Sequence, residues 1–213
     1  PGVPVVISEL QEETAVVFNS VANERKSKIV FAGEVIPGNY KTSLLGSYQA
    51  KNVKGVVAVV KELQGFDINE KNIADGLLKV SVNTGLLGRW QYLGKNPTVV
   101  CDTAHNSEGL TLVLDQIKQQ EYADLHMVIG FVKDKNLDQI LPLFPKNANY
   151  YFCRPNIIRG LDELVLKTRA KEFGLVGEAY SSVNEAVNAS LEAADKSDFV
   201  FVGGSTFVVA EIV

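Results

Sequence analysis

The chain has 213 residues, 25 acidic and 21 basic side chains, and a formal net charge of -4. At 46% hydrophobic and 22% charged it is composed like a folded globular protein, which excludes intrinsic disorder; one or two domains of this length bury roughly 70% of the unfolded surface. No long basic run favours nucleic acid, no apolar stretch is long enough to span a bilayer, and no signal peptide opens the chain, so neither nucleic acid nor membrane is an expected partner and a cytoplasmic location is expected.

In chain order, Val3 to Ile7 reads as a short buried strand, and Ser8 with Gln11 as a weak capping box for the helix that follows. Ile29 to Ala32 is a second strand, and Pro37-Gly38-Asn39 is a turn. From Gln49 to Leu63 the apolar residues Val53, Val56, Val57 and Val60 fall at helical spacing and predict one buried stripe, ended by Gly65. Asn69 starts another helix, with Ile73, Leu77 and Leu78 on its buried face, and Asn83 to Gly88 reads as a hinge.

After Gly88 the pattern changes to short apolar runs alternating with helices. Thr98 to Asp102, His126 to Phe131, Asn149 to Cys153 and Phe199 to Val202 are strands, with a weak one at Gly177 to Tyr180 and an edge strand at Arg89 to Leu93. The intervening helices lie through Leu110 to Ile117, Leu137 to Leu143, Asp162 to Phe173 and Val183 to Ala194, and a last one follows Gly203-Gly204-Ser205. Strands apolar on both faces and separated by helices predict an α/β fold, a Rossmann-like doubly wound and mostly parallel sheet. Residues 85–213 form this domain, and residues 1–84 read as the tail of a different α/β domain. Cys101 and Cys153 sit in apolar runs and read as buried free thiols in a reducing compartment. Because the chain opens at Pro1 and stops at Val213 inside an apolar stretch, it reads as a piece of a longer protein.

In open α/β sheets ligands bind beyond the carboxyl ends of the strands. Three loops qualify: Asp102-Thr103-Ala104-His105-Asn106, Gly130 to Lys135, and Gly203 to Thr206. Asp102 can accept from a ribose or order a neighbouring base, and His105 can meet a phosphate or a developing negative charge; equally, Asp102 and Asn106 can serve only as helix caps with His105 packed beside them. The glycines before Ser205 suit either an anion or a tight turn, and Lys133 and Lys135 either a polyanion or solvent. A Gly-Lys-Ser/Thr phosphate loop, a dinucleotide fingerprint and a zinc set are all absent. A Ser205–His105–Asp102 triad is disfavoured because Phe207 stands where a nucleophile elbow needs glycine.

Leu45-Gly46-Ser47-Tyr48-Gln49-Ala50-Lys51-Asn52 resembles the Leu-Gly-x-His-Gln-x-x-Asn segment of folylpolyglutamate synthases, a branch of the Mur ligase superfamily. Gly88-Arg89 resembles their Pro-Gly-Arg, Asp102-Thr103-Ala104-His105-Asn106 their Asp-x-Ala-His-Asn, Gly203-Gly204-Ser205 their last strand and helix, and Pro1-Gly2-Val3-Pro4-Val5-Val6 the segment after their magnesium region. Leu87 replaces the family proline and Tyr48 the family histidine.

The resemblance implies the C-terminal remainder of a P-loop-type ATPase domain followed by a Mur ligase C-terminal domain. It implies an ATP-dependent ligase that joins L-glutamate to dihydropteroate or folyl-glutamate through an acyl phosphate. Carried over residue by residue, Asn52, Arg89 and Asp102 would contact ATP and His105 would act near the phosphates or the reacting carboxylate. The magnesium ligands, phosphate loop and carbamylated lysine would lie before Pro1, so no metal ligand is assigned in this chain, and the chain by itself is expected to lack ligase turnover. A monomer is expected. A peptidoglycan-precursor amino-acid ligase and a non-catalytic nucleotide-binding module remain alternatives.

Overall fold

The structure, a computed structural model, describes residues 1–213. It divides into two compact units, Pro1–Leu86 and Leu87–Val213.

The first unit contains β1 (Val5–Ile7), α1 (Glu12–Glu24), β2 (Ile29–Phe31), α2 (Ala32–Val35), α3 (Gln49–Glu62), α4 (Glu70–Leu78) and α5 (Val80–Thr84). β1 and β2 pair in parallel, Val5 opposite Ile29 and Ile7 opposite Phe31. The core is small: Val30, Ala32, Ile36, Val53, Val57, Ala58, Ile73 and Leu77.

Several sequence expectations shift here. Ser8 does not cap α1; the helix starts after Gln11 without a side-chain cap, because the Ser8 carbonyl accepts from the Gly33 amide (3.2 Å) and ties this loop to the exit of β2. Val56 is 52% exposed and Leu78 51%, so the buried stripes of α3 and α4 are narrower than their apolar residues. A two-stranded sheet covers only part of a helix face. At α4 the expected start is realised, since Asn69 accepts from the Asn72 amide and Asn72 reciprocates. The expected hinge is shorter, because α5 takes up Asn83 and Thr84 before Gly85 turns left-handed.

The second unit contains β3 (Gln91–Lys95), β4 (Thr98–Cys101), α6 (Ser107–Ile117), β5 (Leu125–Ile129), α7 (Leu137–Ile140) with a 3-10 turn at Leu141–Leu143, β6 (Asn149–Cys153), α8 (Glu163–Glu172), β7 (Gly177–Tyr180), α9 (Val183–Ala193), β8 (Phe199–Gly203) and α10 (Thr206–Val209). Its six-stranded sheet runs β3-β4-β8-β5-β6-β7. All pairings are parallel except the edge strand β3, which runs antiparallel to β4 with a register shift between Tyr92 and Gly94. This is the mostly parallel α/β sheet expected from alternating apolar runs and helices.

The central strands β5 and β8 are buried at every residue, as a sheet covered on both faces requires. On one face Val99, Cys101, Val128, Tyr151, Cys153, Val200 and Val202 pack against Val183 and Ala186 of α9 and Val208 and Val209 of α10. The buried side of α6 (Leu110, Val113, Leu114, Ile117) is not part of that cluster, and the right-handed crossover from β4 to β5 carries α6 to the other face. β4 and β8 are therefore neighbours whose following helices diverge, which is where a doubly wound sheet opens a crevice.

Candidate functional site

At the carboxyl end of β4 the chain leaves the sheet at Asp102, which is 1% exposed. Its Oδ2 accepts from the Trp90 amide at 2.7 Å and its Oδ1 from the Ala104 amide at 2.8 Å. The carboxylate thus stitches two segments, the Gly88-Arg89-Trp90 turn that leads into β3 and the 102–106 loop that leads into α6. Charge-assisted bonds of this kind are short and strong. Each carboxylate oxygen keeps a second lone pair, but at 1% exposure Asp102 shows little surface, and the two bonds in place build the loop.

The turn itself is unusual. Gly88 has φ 72° and Trp90 φ 47°, so two left-handed residues flank Arg89. Glycine adopts this conformation freely; a bulky aromatic residue does not. The Trp90 ring is buried against Phe199, with centroids 6.3 Å apart. The Gly88 amide donates to Gln91 Oε1 (2.7 Å), and the Gly88 carbonyl accepts from the Thr103 amide (2.9 Å). Arg89 stays exposed, with Nη1 donating to Thr103 Oγ1 at 2.8 Å.

His105 is exposed, and its Nδ1 lies 3.0 Å from the Thr103 carbonyl. A carbonyl only accepts, so Nδ1 carries the proton in this bond and Nε2 is the nitrogen open for exchange with a ligand. Asn106 accepts from the Gly109 amide (3.0 Å) and caps α6. Beside this loop, Ser205 is buried and accepts from the Phe207 amide (3.2 Å), the geometry of a cap and not of a nucleophile. Burial pushes the Cys101 thiol up to about 12, with Asp102 adding to the effect, so thiolate chemistry at neutral pH is closed to it.

Arg89, Asp102 and His105 therefore lie within one unit, Leu87–Val213. Asn52 belongs to the first unit, exposed on α3, with its Nδ2 donating to Gln49 Oε1 (3.1 Å). No group of three or more His, Cys, Asp or Glu side chains could hold a metal ion. No helix is long and apolar enough to cross a membrane. Sequence reading missed Trp90, Gln91 and Thr103: a left-handed aromatic has no sequence signature, and Thr103 occupies the variable position of its motif.

A mostly parallel six-stranded sheet, with the Arg89 turn and the His105 loop joined at the carboxyl end of β4, defines a Rossmann-like α/β domain. Within that class, the description "Mur ligase, glutamate ligase domain" matches residues 88–206, and the chain belongs to this family. Over 200 residues it is 30% identical to the "Probable bifunctional folylpolyglutamate synthase/dihydropteroate synthase" of Haloferax volcanii, covering 93% of this chain and 23% of that one. It superimposes on the E. coli FolC structure in complex with DHPP and ADP with a TM-score of 0.80 at 21% identity, covering 98% of this chain and 52% of that one. The Yersinia pestis bifunctional folylpolyglutamate synthase/dihydrofolate synthase complexed with AMPPNP and Mn gives a TM-score of 0.78 at 20% identity, covering 98% and 52%. The chain spans about a quarter of the first relative and about half of the two solved ones.

Proposed function

We propose that this chain is the C-terminal part of an ATP-dependent ligase that adds L-glutamate to dihydropteroate or folyl-glutamate. Residues 1–84 are the remainder of its central ATPase domain and residues 85–213 its C-terminal ligase domain. The observation that carries the reading is the Asp102 carboxylate bridging the Arg89 turn to the His105 loop at the carboxyl end of β4.

ATP supplies the phosphoryl group that converts the acceptor carboxylate to an acyl phosphate, which the amine of glutamate attacks. This chain's residues bind and orient. The exposed Arg89 guanidinium neutralises phosphate oxygens and offers them planar, paired donors. His105, with Nε2 open, donates to or takes a proton from a phosphate or carboxylate oxygen. Asp102 ties the Arg89 turn to the His105 loop, and the Asn52 amide suits an adenine edge. A divalent cation, Mg2+, accompanies the nucleotide, and on this reading its ligands lie in the part of the ligase before Pro1.

The test is equilibrium binding of MgATP to the full-length protein, parent against Arg89→Ala. Saturable binding weakened about tenfold or more by Arg89→Ala is the expected result. Identical affinity in the variant would remove Arg89 from the site. For the reaction, the full-length gene product should release phosphate only when glutamate and a pteroate or folyl-glutamate acceptor are both present.

A further inference from the structure

We infer that Thr103 is a positioning residue for Arg89: it sets the direction of the guanidinium that, on the reading above, meets the nucleotide phosphates. Three contacts converge on this side chain and its own backbone. The Thr103 amide donates to the Gly88 carbonyl (2.9 Å), fixing the turn before Arg89. The Thr103 methyl, Cγ2, occupies the space a Cβ on Gly88 would need, 2.8 Å from that position. The hydroxyl accepts from Arg89 Nη1 at 2.8 Å.

These contacts are linked by the stiffness of a β-branched residue. χ1 of threonine has few allowed wells, so seating the methyl against Gly88 decides where the hydroxyl points. Here it points at Arg89. Thr103 is also almost enclosed, at 8% exposure, and the hydroxyl is held within a framework already braced by the Trp90–Asp102 and Gly88–Gln91 bonds.

The consequence lies in the geometry of arginine. Its N–H donors are fixed in one plane, so binding one Nη1 proton to a rigid hydroxyl leaves the remaining donors aimed in a set direction. A long exposed side chain otherwise surrenders rotamer freedom on capturing a phosphate; here that ordering is made beforehand. Trp90 in the left-handed region, beside Gly88, is the kind of backbone strain that persists where the surroundings over-determine it. Presenting one guanidinium gives that strain a purpose. Gln91, which takes the Gly88 amide, braces the same turn from its other side.

The test is a double-mutant cycle in the full-length protein with MgATP as the probe. Thr103→Val keeps the shape and removes the hydroxyl. It should weaken MgATP binding about three- to tenfold, the range of one hydrogen bond to a charged group after screening, and it should add nothing in an Arg89→Ala background. Thr103→Ser keeps the hydroxyl but loses the methyl that directs it, and should recover only part of the loss. In the absence of nucleotide, 15N relaxation at Arg89 Nε should report greater mobility in Thr103→Val than in the parent.

Equal weakening in both backgrounds would make Thr103 a mere structural residue and overturn the inference, as would unchanged Arg89 mobility. Absence of saturable MgATP binding by the full-length parent protein would overturn the nucleotide reading and this inference with it. That failure is recognisable on its own, because the relaxation comparison needs no nucleotide. A Gln91→Leu variant, which loosens the turn without touching Thr103, provides the second route: it should raise Arg89 mobility and weaken MgATP binding in the same sense, and a rigid, fully active Gln91→Leu chain would count against the device.

Discussion

At the residue scale the main finding is how few side chains organise the loop. Asp102 holds two amides, Thr103 holds one guanidinium and one turn, and Gly88 allows them to approach. A Cβ on Gly88 would fall 2.8 Å from both Thr103 Cγ2 and Val209 Cγ1, in a backbone conformation that L side chains avoid. Gly88→Ala should therefore destabilise the second unit by about 1–3 kcal/mol and weaken nucleotide binding together. Urea unfolding followed at Trp90 checks this, and an unchanged midpoint would refute the account of the turn. Gly88, Arg89, Asp102 and His105 were legible as a motif. The direction of Asp102 toward Trp90 was not, because it depends on β3 folding back antiparallel along β4.

At the scale of elements, the opposite end of the sheet shows how strand starts are held. Asp198, just before β8, accepts from the Asp195 amide (2.8 Å) and the Asp124 amide (3.1 Å). It also lies 3.3 Å from His126 Nε2 at the start of β5, while His126 Nδ1 lies 3.0 Å from the Tyr151 hydroxyl on β6. Three parallel strands are thus tied at their amino ends, away from the loop of Asp102. The Asp195 amide foremost, then the Asp124 amide and His126, hold the Asp198 carboxyl below its ordinary 3.8 against the opposing effect of burial.

A depressed folded-state value means that the stabilisation is present above the unfolded value and is lost as pH falls through the folded one. Stability should therefore decline in acid below about pH 4, and Asp198→Asn should flatten that part of the curve. Urea unfolding of both proteins between pH 3 and pH 6 measures it; identical slopes would show that Asp198 does not carry the effect. The two histidines illustrate a limit of spacing arguments. His105 follows a strand end and is exposed, whereas His126 opens a strand and is buried, and only the register of β5 with β6 and β8 separates their surroundings.

For the whole molecule, the uneven distribution of core matters most. The first unit rests on eight mostly small aliphatic residues around a two-stranded sheet, and helix faces with Val16, Val17 and Val56 remain exposed. The second buries Trp90, Phe131, Phe152, Phe199 and Phe201 within a six-stranded sheet. Local opening tracks buried apolar contact. Amides of α3 and β2 should exchange with deuterium at least tenfold faster than those of β5 and β8. Comparable protection in the two units would contradict this ordering.

The sequence by itself determined the alternation of strand and helix after Gly88, the helix start at Asn69, and the residues of the candidate loop. All of these rest on local periodicity and on side chains that bond amides two or three residues away. Tertiary structure alone decided the strand order, with β8 between β4 and β5, which makes the crevice. It also decided which apolar residues stay exposed and the left-handed turn that presents Arg89. Those depend on contacts between segments far apart in the chain, such as Val99 beside Val200, and no local pattern encodes them.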